Sequence, residues 1–337
     1  MTTISVCMIV KNEEKILSRC LDCLRDIADE IIIVDTGSTD NTKEIAKKYT
    51  DKIYDFEWIK DFSAARNYSL SFATKDYIYC ADADEVIEPE EQKKFIALKQ
   101  VLTPDIDIVQ MLYTNQLQFN TVYNYDEELR PKLYRNGKNY RFEGCVHEAV
   151  VFDDSAKIIE TDIRIKHMPL QNHGGRDLDI FLKSYTPENT RLDTRLHEQF
   201  ARELYVCGTD EDFIRSAPIF ERTLNDTERK EDELIEACCV LAHAARLKNN
   251  LNELFRYSIK GMALGACSEL LCEFGDYFKE TGNYEEAAIW YYNAAFEATS
   301  KINIAYCTQY PIQALANLYE ELGMPEIANQ YRTKLNN

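Results

Sequence analysis

Apolar positions in the first half of the chain follow two alternating rhythms. ISVCMIV (Ile4 to Val10) is a short apolar run that reads as a strand, and KNEEKILSRCLDCLRDI then places Ile16, Leu17, Cys20, Leu21 and Leu24 at helical spacing. The unit repeats in EIIIVDTGSTDNTKEIAKKY. There a β-branched strand, Ile31 to Val34, leads through a polar turn into a helix expected to start near Asn41, with Glu44 three residues on as a capping-box partner. DKIYDF is a third strand, followed by a helix expected to begin at Ser63 in DFSAARNYSLSFA, and DYIYCAD is a fourth. Strands alternating with helices predict right-handed crossovers and a mostly parallel sheet, in which ligands sit beyond the carboxyl ends of the strands.

That rule gives the polar residues at the strand ends a setting. Asp35 ends its strand as Asp82 ends a later one, and Lys11 and Asn12 follow the first, so three strand ends converge on one crevice. Asp82, Asp84 and Glu85 crowd together in YIYCADADEV, and like charges at this spacing are either well solvated or neutralised by a bound cation. On a strand end alternate residues share a face, so Asp82 and Asp84 can point into the crevice together while Ala83 points away. Further on, ELRPKLYRNGKNYRFEGCVHEAV alternates Arg130, Lys132 and Arg135 with apolar residues, as a strand with one basic face would, then gives an Asn-Gly turn and a second strand from Tyr140. This is either a local phosphate pocket or a plain surface hairpin.

From about Arg191 strand signals disappear and helical periodicity dominates. LLCEFGDYFKETGNYEEAAIWYYNAAFEATS has Leu271, Phe274, Gly275, Phe278, Gly282, Tyr284, Ala287, Tyr291 and Ala294 in offsets that resemble a tetratricopeptide repeat. Gly275 and Ala287 would let two helices approach, with Tyr284 and Tyr291 filling the seam. Weaker copies at Leu251, Leu254 and Gly261 and at Ala314 to Tyr331 predict about three stacked hairpins. The expected organisation is an α/β domain over residues 1–175 and an all-α, repeat-like helical domain over 176–337.

The charge balance narrows the partners. In 337 residues, Lys+Arg 39 against Asp+Glu 58 leaves a formal charge of -19, which disfavours nucleic acid and anionic membrane surfaces, so an anionic ligand needs a local basic pocket. The 11 cysteines are scattered through apolar stretches and fit reduced thiols in a cytoplasmic protein. Cys20 and Cys23 form a lone C-x-x-C inside a helical pattern, either core residues or a metal or redox pair. No charged-then-apolar leader opens the chain, and no apolar run approaches the roughly 18 residues of a membrane span.

SVCMIVKNEE, IIIVDTGSTDNT, DFSAARN and DADE, in this order, resemble the family 2 glycosyltransferases of the GT-A fold, with the similarity covering roughly residues 1 to 175. The repeat-like tail resembles the branch that modifies peptides or proteins, including flagellin and bacteriocin glycosyltransferases. The resemblance implies a D-x-D element at Asp82 and Asp84. Asp84 would be the metal ligand, Asp82 would reach ribose or the metal, and His147 would be a histidine ligand for Mn2+ (or Mg2+). It implies a UDP-sugar donor met by Val10, Asn12, Glu13, Asp35, Arg66, Asn67, Asp82, Ala83, Arg130 and Lys132. Within that set Asp35 meets the uracil edge and Arg66 lies beside uracil or phosphates, while Asn67 meets ribose or sugar or else makes a cap or turn contact. Glu148 is the expected general base with Glu143 as its rival, since the family's usual Glu-Asp ending is absent here. His167 and His173, in KHMPLQNHGG, close the catalytic half, and His173, before a glycine pair, is either a lid or a linker residue.

The function these residues imply is metal-dependent, inverting transfer of a hexose or N-acetylhexosamine from a UDP-sugar to a protein or peptide side chain, a Ser/Thr hydroxyl or a Cys thiol. The helical repeats would hold the acceptor or form a homodimer contact. Two alternatives keep their place: transfer to a cell-envelope saccharide, and a non-catalytic repeat scaffold with a nucleotide-sensing domain.

Overall fold

The computed structural model describes residues 1–116, 126–170, 174–186 and 191–335. The chain divides into two compact units, Met1–Asn172 and His173–Asn337.

The first unit is built on one eight-stranded sheet in the order β3-β2-β1-β4-β7-β6-β10-β5. β1 (Ile4–Val10), β2 (Glu30–Asp35), β3 (Ile53–Asp55) and β4 (Tyr77–Ala81) run parallel, joined through α1 (Leu17–Leu24), α2 (Thr42–Ala46) and α3 (Phe62–Leu70). β5 (Glu85–Val86) and α4 (Pro89–Val101) follow, then β6 (Ile108–Thr114), β7 (Glu128–Arg135), a small hairpin of β8 (Arg141–Glu143) and β9 (Ala149–Val151), and β10 (Ile158–His167). β7 lies antiparallel between β4 and β6, and β5 antiparallel on β10, while the other strand pairs run parallel, so the sheet is mostly parallel. Successive residues of β1 feed opposite cores. Val6 and Met8 pack with Leu17, Leu21 and Phe95 on one face, and Cys7 with Ile32, Ile78 and Phe142 on the other.

Helix starts differ in detail from the pattern. Asn41 makes no side-chain cap; instead the Asp40 carboxylate accepts the Thr42 amide at 3.0 Å, and Asn41 itself donates to Glu14. The next helix starts at Phe62 rather than Ser63, because Asp61 accepts the Ala64 amide at 2.9 Å. Cys20 and Cys23 are not joined: their thiols donate to the carbonyls of Asp82 and Arg19. The basic face expected of β7 is also divided. Lys132 lies at a register shift against β6, whereas Arg135 pairs with Tyr77, at the start of β4, and has Asp107 at 3.7 Å.

At the amino ends of the parallel strands Glu30 ties four segments. It accepts Ser5 Oγ at 2.5 Å and the Thr74 amide and hydroxyl at 2.9 and 2.8 Å, and it pairs with Lys52.

The second unit is helical: α5 (Gly174–Ser184), α6 (Thr194–Cys207), α7 (Asp210–Asn225), α8 (Glu231–Leu247), α9 (Leu251–Leu264), α10 (Ser268–Glu280), α11 (Tyr284–Phe296), α12 (Gln309–Glu321) and α13 (Pro325–Leu335). α8 packs on α9, α10 on α11 and α12 on α13 as successive hairpins. A Cβ at Gly275 would stand 2.5 Å from the Tyr291 ring, so glycine is what lets α10 and α11 meet. Tyr291 fills this seam as expected and Ala287 is fully buried, but Tyr284, at the first position of α11, is 36% exposed and does not. Among the described residues no helix is long and apolar enough to cross a membrane.

Two outcomes follow from these contacts. Burial opposes ionisation of Glu30, but Lys52, Ser5 and Thr74 outweigh it and bring its carboxyl from 4.5 down to about 2. A depressed folded pKa gives stability that is present above pH 4.5 and lost as pH falls toward 2. Glu30→Gln is therefore expected to cost about 2 kcal/mol at pH 7 and to flatten the stability profile below pH 4.5 in urea titrations at stepped pH. Gly275→Ala should lower the urea midpoint, costing about 1–3 kcal/mol, although alanine in a helix interior otherwise stabilises.

Candidate active site

The carboxyl ends of β1, β2 and β4 meet as the strand pattern predicts, and two loops at their ends are stitched together. The Val10 carbonyl accepts the Thr36 amide at 2.9 Å, and Asn12 adopts a left-handed φ of 58°. From there the Asn12 amide reaches Ser38 Oγ at 2.9 Å, its Oδ1 accepts the Thr39 amide at 2.8 Å, and the Glu13 amide donates to Thr42 Oγ1 at 2.7 Å. Asp35 is buried beneath this loop. Its Oδ1 accepts the Gly37 and Ser38 amides at 2.9 and 2.8 Å, while its buried Oδ2 has no hydrogen-bond partner among the described residues.

The end of β4 carries a linked set of charges. Arg66, one turn into α3, donates through Nε to Glu148 at 2.5 Å and through Nη2 to Asp82 at 2.6 Å. Burial disfavours the Asp82 carboxylate, yet Arg66 and Lys132 outweigh it and hold its carboxyl well below the ordinary 3.8. Lys132 Nζ lies 2.6 Å from Glu85 and 4.0 Å from Asp82. Glu85 neither caps a helix nor meets solvent: it is 2% exposed on β5 and accepts the Tyr79 hydroxyl at 3.3 Å. Burial, with Asp82 and Asp84 nearby, pushes the Glu85 carboxyl up to about 7 against the pull of Lys132.

Asp84 stands beside His167 rather than the expected His147. Its Oδ2 lies 3.2 Å from His167 Nε2, and its Oδ1 is buried with no hydrogen-bond partner among the described residues. His167 ends β10, where its backbone is the ladder partner of Glu85. The strand-end rule that singled out Asp35 and Asp82 finds it too, once IIETDIRIKH is read as a strand. His147, at φ 48°, immediately precedes Glu148 in the loop between β8 and β9.

Of the remaining candidates, Ala83 is buried between the two aspartates. Arg130 lies over the Tyr113 ring at 4.2 Å and donates to Glu128 at 2.7 Å. Glu143 is exposed on β8 and pairs with Arg141 at 2.6 Å, so the structure brings Glu148, not its rival, to Arg66. Asn67 makes neither a cap nor a turn contact with its side chain: its Nδ2 donates to the Phe142 carbonyl at 2.9 Å and its Oδ1 accepts the Phe142 amide at 2.8 Å. His173 lies outside the described residues.

Counted formally, Asp82, Asp84, Glu85 and Glu148 face Arg66 and Lys132. The excess is negative, and one carboxylate oxygen of Asp84 is buried unpaired. A hard divalent cation fits such a set.

This arrangement, strand-end carboxylates over a mostly parallel sheet, falls inside residues 5–156, which match the family model for glycosyl transferase family 2. This is the part of the chain that the family's model covers. Over 216 residues the chain is 33% identical to a TPR repeat-containing protein of Synechococcus elongatus, covering 62% of this chain and 51% of that protein. Over 271 residues it is 29% identical to the SPbeta prophage-derived glycosyltransferase SunS of Bacillus subtilis, covering 76% and 61%. The crystal structure of S. aureus TarS matches 85% of this chain and 54% of its own, at 14% identity and a TM-score of 0.36. The chain thus spans about half to three fifths of the length of these curated relatives.

The two Asn67 hydrogen bonds place a structural demand on that residue. Asn67→Ala should cost about 1–3 kcal/mol in urea unfolding, because it leaves the Phe142 backbone groups unpaired. UDP affinity at a temperature where the variant is folded should stay as in the wild type; a large loss would return Asn67 to the donor site.

Proposed function

We propose that the protein is a metal-dependent inverting glycosyltransferase that moves a hexose or N-acetylhexosamine from a UDP-sugar to a protein or peptide side chain. The observation that carries this reading is the unpaired, buried Oδ1 of Asp84 beside Asp82 at a strand end of a family 2 domain. A carboxylate oxygen is costly to leave in that state, and a divalent cation satisfies it. Asp84, Asp82 and His167 would hold the ion, and an imidazole beside carboxylates favours Mn2+ over Mg2+. When bound, the ion supplies charge stabilisation for the departing diphosphate.

The chain's own residues do the rest. Asp35 is already fixed by two loop amides and has its second oxygen open to accept the uracil N–H. Arg66 presents a planar fork suited to phosphate or base stacking and fixes Glu148. Glu148 would take the proton of the attacking hydroxyl or thiol, a role that needs hydrogen-bond reach to the acceptor opposite the leaving group. The first unit is read as the catalytic domain. The second, with its tetratricopeptide-like hairpins, would present the acceptor, and cysteines scattered through apolar stretches suit a cytoplasmic setting.

Calorimetric titration with UDP, with and without Mn2+, tests this directly. UDP should bind at least about tenfold more tightly with Mn2+, and Asp84→Asn should lose that gain while retaining metal-free binding. Absence of UDP binding in both conditions would overturn the donor assignment.

A further inference from the structure

Lys132 sits in an unusual place for a lysine. Leu133 pairs with Val109 and Pro131 with Gln110, so Lys132 is an extra residue at a bulge in β7, which re-aims its side chain. That side chain is 9% exposed. Its Nζ lies 5.6 and 5.7 Å from the centres of the Tyr79 and Tyr113 rings, and it ends on Glu85 at 2.6 Å. Glu85 is itself held, by the Tyr79 hydroxyl at 3.3 Å and by the β5–β10 ladder at His167. The ammonium therefore stops 4.0 Å from Asp82 Oδ2, outside hydrogen-bond contact.

This spacing has a consequence for the neighbouring carboxylates. A buried ammonium released from its partner closes on the next available carboxylate, because attraction in a poorly solvated site is strong and the unpaired charge is costly. Asp82 is that neighbour, and Asp84 lies two residues on. A lysine on either would occupy the oxygens that a metal needs.

We propose that Glu85 is a positioning residue that tethers the Lys132 ammonium away from Asp82 and Asp84, leaving those carboxylates open to a divalent cation. The inference rests on the functional reading above and concerns the site's affinity for the ion, not the chemistry of transfer. It makes Lys132 a latent competitor of the metal rather than a simple donor contact.

The test is a double-mutant cycle read by Mn2+ binding, measured as free Mn2+ by electron paramagnetic resonance in the presence of UDP, with circular dichroism to confirm folding. Glu85→Gln should weaken Mn2+ binding about 10- to 100-fold, the usual range for a group that supports a ligand from behind. Adding Lys132→Met to that variant removes the competitor and should restore binding to near the wild-type value. If Glu85→Gln does not fold, Glu85→Asp, which shortens the tether by one methylene, should show a smaller loss with the same rescue. Wild-type affinity in the folded single variant, or no rescue in the double variant, would overturn the tether. Absence of Mn2+ binding by the wild type would overturn the functional reading as well.

Discussion

The first unit depends on how a group of carboxylates is held together at the end of β4. Asp82, Asp84, Glu85 and Glu148 converge where like charges repel, and burial opposes ionisation of Asp82 and Glu85. Arg66 resolves half of the conflict by bridging Asp82 and Glu148, which arrive from β4 and from the loop after β8. Lys132 resolves another part by pairing with Glu85. What remains is concentrated on Asp84, whose Oδ1 is buried and unmatched among the described residues, so the residual strain sits where a cation would relieve it. Replacing Arg66 by lysine would not preserve this, since a single ammonium cannot offer the two separated donors that span the pair.

The sheet supplies the rigidity such a cluster requires. β1 and β4 pair directly, from Ile4↔Tyr77 to Met8↔Ala81, which fixes how far the β4 end stands from the loop carrying Asn12. Glu30 ties the opposite ends of the same strands through Ser5, Lys52 and Thr74. One edge of the parallel strands is thus fastened by a satisfied carboxylate and the other carries unsatisfied ones. That asymmetry separates a stabilising acid from acids placed for a ligand.

Much of this was legible in the sequence, for reasons that differ by element. β1, β2 and β4 are buried on both faces, so each reads as an unbroken apolar run, and the acids that end β2 and β4 stand out against it. β10 was not legible: its burial alternates, and charged residues interleave with Ile159, Ile163 and Ile165, so His167 had no visible strand to end. β5 is two residues long and carries no period at all. Asn67 and Arg66 are neighbours in one motif, yet one closes on the Phe142 backbone and the other on two acids. Only the path of β8, brought in from far along the chain, separates them. Tyr284 matched a repeat offset but lies at the first position of its helix, where no neighbouring turn covers it.

The second unit solves a related problem by another route. Between α8 and α10, Glu273 is fully buried and accepts His243 Nδ1 at 2.6 Å and Arg246 Nε at 2.7 Å. Arg246 continues to Asp276 at 3.3 Å, and Asp276 accepts the hydroxyls of Tyr291 and Tyr310 at 2.6 and 2.8 Å. Burial and the Glu273 charge raise the Asp276 carboxyl to about 6, against the arginine and the tyrosines. Apolar helix faces tolerate sliding by a turn, but a chain of directed bonds through α8, α10, α11 and α12 is satisfied in one register only. Here the buried charges close on one another and leave Asp276 fully engaged, so this network specifies packing. At the β4 end the corresponding network leaves Asp84 Oδ1 buried with no partner among the described residues, beside carboxylates already held by Arg66 and Lys132.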